Sequence, residues 1–367
     1  MPQISARKLF TEGQTLHNKT ITFEAGKILS IEDCPTPPEF DCLSPAFFDT
    51  HINGGEEYYL TQSNNEEAIK DIFDASVQTG TYYVLPTVIT SSPENILKGI
   101  DEIRKYRINH PQSGVVGLHL EGPFLNPLKR GAHLAKYVRK PTDSEIQEIL
   151  EAGKDVIKIW TIAPEQFTPD QLQMVISSGI TISAGHSNAT YEEASEAFVS
   201  GISLVTHLYN AMSSFHHRKP GLIGAALSHP QVWAPIILDG KHCHFGAAQT
   251  AWQAKPDRLF LISDALFLGR KKQDFRWEEF DARLVNGEYV NSEGNLAGSA
   301  VSMGECIYNA VNLLKIPLEI AVSMATDRPA KAVRMEHVMG KLEQGYPAVF
   351  SVFDDELTSF QVKAFPE

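Results

Sequence analysis

Four side chains have the types and settings to hold a metal ion and move a proton: Glu121, His186, His207 and Asp264. Each stands where an apolar run ends. In residues 115–121, Val115, Val116, Leu118 and Leu120 read as a buried strand that stops at a carboxylate, followed by Gly122 and Pro123. A carboxylate there is costly unless a cation, a proton or a hydrogen bond compensates it. Two imidazoles and one carboxylate suit Zn²⁺, Fe²⁺ or Co²⁺. Three protein ligands leave a position open, as catalytic rather than structural sites do. Such an ion acidifies water toward a pKa of about 7, and Asp264 is placed to take the water's proton and give it to a leaving group.

These residues need a scaffold that brings strand ends together. Eight apolar runs, at 46–52, 82–88, 115–120, 156–162, 181–184, 203–207, 234–238 and 259–263, read as strands. Helical segments fit the gaps at 66–79, 93–106, 143–152, 169–177, 191–199, 246–254 and 301–314, with a less clear one at 222–228. Eight βα units predict a TIM (β/α)8 barrel, whose active site lies at the C-terminal strand ends. An open doubly wound sheet is the rival, but no GxGxxG follows the first strand. Six of the eight runs end in His, Asp, Glu or Asn: His51 and Asn53, Glu121, His186, His207 and Asn210, Asp239 and His242, and Asp264. One histidine at a strand end is usually a satisfied structural residue; six such endings on one face form a metal-site constellation. Residues 1–44 and 340–367 have the short-strand character of a small β-sandwich domain built from both chain ends. Residues 45–339 are the barrel.

Composition sets outer bounds. At 367 residues the chain is too long for one small core, and 43% hydrophobic with 21% charged residues is that of a soluble globular protein. A net charge of −13 argues against nucleic acid as partner, while leaving room for a local basic pocket. Cys34, Cys42, Cys243 and Cys306 form no CxxC pair, which points to a reducing compartment. Without a signal-type apolar segment or a run of the roughly 20 apolar residues a membrane span needs, the expectation is a cytoplasmic protein.

Longer motifs carry a resemblance. They are residues 48–54, His119-Leu120-Glu121-Gly122-Pro123-Phe124, 129–133, 183–187, Thr206-His207-Leu208-Tyr209-Asn210-Ala211-Met212, 239–242, 262–265 and 296–299. In this order, over nearly the whole chain, the set resembles the amidohydrolase superfamily, and more narrowly the N-acetylglucosamine-6-phosphate deacetylase family. The resemblance implies hydrolysis of the N-acetyl amide of N-acetylglucosamine 6-phosphate to glucosamine 6-phosphate and acetate, in amino-sugar catabolism. It implies Glu121, His186 and His207 as metal ligands, Asp264 as base and then acid, and His133 against the acetyl carbonyl. Ala132, Asn210, Ala211, Arg218, His242, Leu296, Ala297 and Gly298 would contact the sugar phosphate. Arg218 would reach the neighbouring site of a homodimer. The rivals are an amidohydrolase acting on another N-acyl sugar or amide, and an inactive barrel that only binds a sugar phosphate.

Arg218 also reads as a phosphate group from the residues alone. It sits in the basic cluster His216-His217-Arg218-Lys219 of an acidic protein, and a guanidinium suits bidentate phosphate contact. His119 shares a strand face with Glu121 and reads as packing or support rather than as a ligand. Where binuclear relatives carry His-x-His, this chain has His51-Ile52-Asn53. One divalent metal per subunit is therefore expected, zinc first, with iron, cobalt, manganese or nickel able to take the same ligands. His51 is left as a relic ligand, a support, or half of a weak second site with Asn53. Residues 266–277 lack the small-residue run of the family; they either cover the site as a lid or face solvent.

Overall fold

The structure is a computed structural model and describes residues 1–365. The chain begins with four strands, β1 (Gln3–Thr11), β2 (Gln14–Glu24), β3 (Lys27–Asp33) and β4 (Phe40–Pro45). Their alternating apolar residues, among them Ile4, Leu9, Ile21, Phe23, Ile28 and Leu43, form a small core.

The barrel strands follow: β5 (Phe47–Ile52), β6 (Thr81–Ile89), β7 (Leu118–Glu121), β8 (Ile157–Ile162), β9 (Thr181–Ala184), β10 (Leu204–Val205), β11 (Ala234–Ile237) and β12 (Leu259–Ile262). All eight fall on the runs expected from sequence. β5 to β10 form one sheet in chain order, and β11 pairs with β12. A bridge from Leu204 to Trp233 carries the ring on, and one from Ile52 to Ala265 closes it. The fold is a TIM barrel with a small β-sandwich built from the chain ends. Its strands are apolar almost throughout because the intervening helices cover the outer face while side chains fill the inner one. Most of those helices start on side-chain caps; Thr142, Thr168, Thr190 and Ser302 each make a full capping box. The helix expected at 301–314 is the shorter Met303–Asn312, because Ser302 fixes its start.

Residues 266–277 are neither a free lid nor a bare solvent loop. They lead into a three-stranded antiparallel sheet, β13 (Asp274–Trp277), β14 (Phe280–Val285) and β15 (Glu288–Val290). Asn286 and Gly287 join the last two with φ of 53° and 82°, the left-handed pair of a tight hairpin turn. Phe275, Phe280, Ala282 and Tyr289 pack with Tyr59, Leu266 and Phe267 into a core of their own. Finally β16 (Val349–Phe353) and β17 (Phe360–Ala364) return to the first sheet, giving the order β17-β16-β4-β1-β2-β3.

Asp49 fastens the closing seam between β5 and β12. Its carboxylate accepts the backbone N–H groups of His51 and Ser263, both at 3.2 Å, and the Ser263 hydroxyl. Burial pushes its pKa up to about 6 against the pull of these donors. Asp49→Ala would strand three buried donors, each costing about 1–3 kcal/mol. We expect it to lower unfolding stability by about 3 kcal/mol or more in urea titration, with Asp49→Asn, which keeps an acceptor, losing less.

Candidate metal centre

Glu121 ends β7, and its two carboxylate oxygens face different groups. Oε1 lies 3.2 Å from His186 Nε2 and 3.1 Å from His207 Nε2, and the two nitrogens are 3.2 Å apart. Four donors about 2.0–2.1 Å from a tetrahedral ion would be about 3.3–3.4 Å apart, so this nearly equilateral triangle has the size of one face of such a site. Neutral imidazole nitrogens turned toward one another and toward a carboxylate suit a shared cation. His186 Nδ1 donates to Lys129 O at 2.9 Å, which leaves the Nε2 lone pair free to bind. The residues therefore fit a divalent metal site, the expected trio held together.

Oε2 faces His51 Nε2 and His133 Nε2, each at 3.5 Å. His133 is close enough to rank as a donor, its ligand atom lying within 4.8 Å of those of Glu121 and His186. It faces the other oxygen, however, so His207 completes the triangle. Burial alone would raise the pKa of Glu121, but His51, His133 and His186 hold it well below the ordinary carboxylate range. Burial pulls His186 down to about 4. His51 is also buried, yet Asp264 and Glu121 lift it to about 9.

Asp264, just past β12, lies beside this cluster. Its Oδ1 is 3.2 Å from His51 Nε2 and accepts Asn53 Nδ2 at 2.8 Å. The reverse amide orientation would set Asn53 Oδ1 against a carboxylate oxygen. Asn53 thus turns its donor end to Asp264, while its Oδ1 is buried without a hydrogen-bond partner. His119 hydrogen-bonds Thr161 Oγ1 at 2.8 Å and Thr50 O at 3.2 Å. Its place is below the ligands, in a hydroxyl layer that continues from Thr161 to Thr206 and Ser183.

Above the triangle opens a cleft of about 630 Å³. Ala132, His133, Asn210, Ala211, His242, Asp264, Leu296, Ala297 and Gly298 all line it, as does Asn53. His51 lies buried beneath. Arg218 does not reach this chain's cleft; it sits exposed on the turn between His216 and Lys219, three residues past the exposed Phe215. His242 Nδ1 is 2.6 Å from Asp239 Oδ2. Burial disfavours its charge, but that hydrogen bond and the Asp239 charge keep its pKa raised.

Sequence reasoning missed several residues that build the cleft, four of which bear on its chemistry. Phe280 comes from the three-stranded insertion, and the alternation of Phe275, Trp277, Phe280 and Ala282 was its signal. Arg130 and Glu293, paired at 3.2 Å, span the cleft's edge. Thr90, one residue past β6, gives its hydroxyl to His133 Nδ1 or takes a proton from it, at 2.8 Å. No charge marks Thr90, so a survey of His, Asp, Glu and Asn at strand ends passes over it.

The model of the Amidohydrolase family matches residues 42–365. An N-acetylgalactosamine-6-phosphate deacetylase of Shewanella sp. (strain ANA-3) is 34% identical over 364 residues, covering 95% of this chain and 91% of that protein. An N-acetylglucosamine-6-phosphate deacetylase of Haemophilus influenzae is 33% identical, covering 85% of this chain and 82% of its own. Among solved structures, N-acetylglucosamine-6-phosphate deacetylase from Pasteurella multocida superposes with a TM-score of 0.91 at 28% identity, covering 99% of this chain and all of that one. A mutant of the Mycobacterium smegmatis enzyme, solved in complex with N-acetyl-D-glucosamine-6-phosphate, gives 0.90 at 26% identity, covering 97% and 95%.

Gly122 follows the metal-facing carboxylate with φ of 97°, and a Cβ there would lie 2.1 Å from Thr90 Oγ1. Gly122→Ala must displace the hydroxyl that holds His133. We expect a fall in kcat of about 100-fold, on the scale of a catalytic group misplaced by about 1 Å, with the barrel's circular dichroism preserved.

Proposed function

This chain belongs to the amidohydrolase family, and from that premise we propose that it hydrolyses the N-acetyl amide of N-acetylglucosamine 6-phosphate to glucosamine 6-phosphate and acetate. The observation that carries the reading is the donor triangle of Glu121, His186 and His207 at the floor of a cleft that also holds Asp264, His133 and the Asp239–His242 pair. A divalent ion held by the triangle polarises a carbonyl oxygen and acidifies water.

The chain's own residues do the rest. Asp264, oriented by Asn53 and His51, takes a proton from the attacking water and delivers it to the departing amine. His133 donates from Nε2 to the carbonyl oxygen as negative charge develops there. Asn210, Ala211, Ala132 and residues 296–298 hold the sugar. His242, whose charged form Asp239 favours, grips the phosphate, and Arg218 of a second copy completes the grip in a homodimer. The exposed Phe215 beside Arg218 supports that pairing. We assign one ion per chain, zinc in the first place, because where a second imidazole would be needed Asn53 offers only an amide oxygen, a poor ligand for such an ion, and the cluster at Oε2 is served by a proton on His51. Among the described residues no helix is long and apolar enough to cross a membrane. All four cysteines are free, which supports a reducing, cytoplasmic setting.

The galactosamine epimer is a second reading, favoured by the Shewanella relative at 34% identity. Acetate release from the two epimers, measured side by side, separates the readings. Metal-loaded protein should release acetate from one of them with about one ion per chain, and Asp264→Asn should abolish release while retaining the ion. No release from either with any divalent metal would refute the proposal.

Arg218→Ala should raise KM about 10–100-fold, the worth of a charge-assisted hydrogen bond of about 1.5–3 kcal/mol, and leave cleavage of an unphosphorylated analogue unchanged. Because the pKa of His242 is raised, its positive charge is complete at low pH and disappears as pH climbs through that value. KM should therefore rise on the alkaline side, and His242→Gln should flatten that limb of the KM profile.

A further inference from the structure

β6 is one of the two barrel strands that end without an ionisable or amide side chain, and Thr90 is what it offers instead. The side chain is fully buried. Its oxygen lies 2.8 Å from His133 Nδ1 and 3.3 Å from Glu121 O. A hydroxyl has one proton, so it can satisfy only one of these acceptors. If the proton went to Glu121 O, a neutral His133 would carry its own proton on Nδ1. Its bare Nε2 lone pair would then point at Glu121 Oε2, 3.5 Å away, lone pair against carboxylate. If the proton goes to His133 Nδ1, Nε2 carries the hydrogen and faces the carboxylate favourably. The shorter of the two distances agrees.

We infer that Thr90 is a positioning residue. Its hydroxyl donates to His133 Nδ1 and so fixes the neutral imidazole with its proton on Nε2, turned into the cleft. The inference rests on the proposed role of His133, because only an Nε2–H can donate to an oxyanion. It adds the group that keeps the hydrogen on that nitrogen. Without Thr90, Nδ1 would be a buried acceptor with no donor, which is costly, and that cost would offset the preference for a hydrogen on Nε2, so that both tautomers become populated. The crowding of Gly122 against the same hydroxyl, 2.1 Å from where a Cβ would stand, shows how closely its position is held.

Two variants and two readouts test this. In metal-loaded protein labelled with ¹⁵N-histidine, the His133 resonances, assigned by their loss in His133→Asn, should report a protonated Nε2. Thr90→Val, nearly the same shape without the hydroxyl, should leave Nε2 only partly protonated, with a second population carrying the proton on Nδ1. It should lower kcat about 10–100-fold, the usual cost of removing a supporting partner, with KM changed less than about threefold and metal content unchanged. Thr90→Ser should restore both readouts. A Thr90→Val protein whose His133 keeps its proton on Nε2 would overturn the inference. So would a Thr90→Ser protein as impaired as Thr90→Val, since that would make the role one of packing. A proton shift with unchanged kcat would uphold the hydroxyl's hold on the ring and overturn instead the oxyanion role given to His133.

Discussion

Everything in the site turns on one buried carboxylate. Glu121 is 3% exposed, and an ionised group so deep is tolerated only among compensating charges and donors. The compensation comes from three strands and a loop: His51 after β5's midpoint, His186 after β9, His207 after β10, and His133 from the segment after β7. No single stretch of chain could assemble that ring. A closed barrel can, because it brings all its strand ends to one rim.

The placement has a conformational cost. His186, His207 and Asp264 have φ of 47°, 30° and 49°, in the left-handed region that non-glycine residues avoid, at about 1–3 kcal/mol each. Hydrogen bonds from neighbouring segments hold them there. His186 O accepts Asn126 N at 2.9 Å, Asp264 N donates to His51 O at 2.8 Å, and Asp264 O accepts Ser299 N at 2.8 Å. At each of these positions the strand has just ended, so the backbone is free of its ladder and can turn the side chain inward. Such backbone geometry at three residues proposed to hold the metal or move the proton is what a site held ready for its ligand requires.

Much of this was legible in the amino-acid order. The eight apolar runs were plain because a parallel strand buried on both faces must be apolar nearly throughout, and the ligands stood out because charge at the end of such a run is expensive. The three-stranded insertion was harder to see. Its alternation over Phe275, Trp277 and Phe280 is short and is interrupted by Glu278 and Glu279, so period two never runs long enough to register. Thr90 was invisible for another reason: threonine is an ordinary strand residue, and only the three-dimensional meeting with His133 distinguishes it. Which end of the Asn53 amide meets Asp264 is likewise a detail that residue type does not encode.

The first sheet carries a consequence for how the molecule is made. β4 lies between β1 and β16, and it leads directly into β5, the first strand of the barrel. A ribosome releases β4 early and β16 near the end. Through most of synthesis one side of β4 therefore has no partner strand, and an unpaired edge invites pairing with another chain. The nascent protein needs that edge shielded until residues 349–364 emerge, and only then do the two ends of the chain lock the sheet on which the barrel's first strand is anchored.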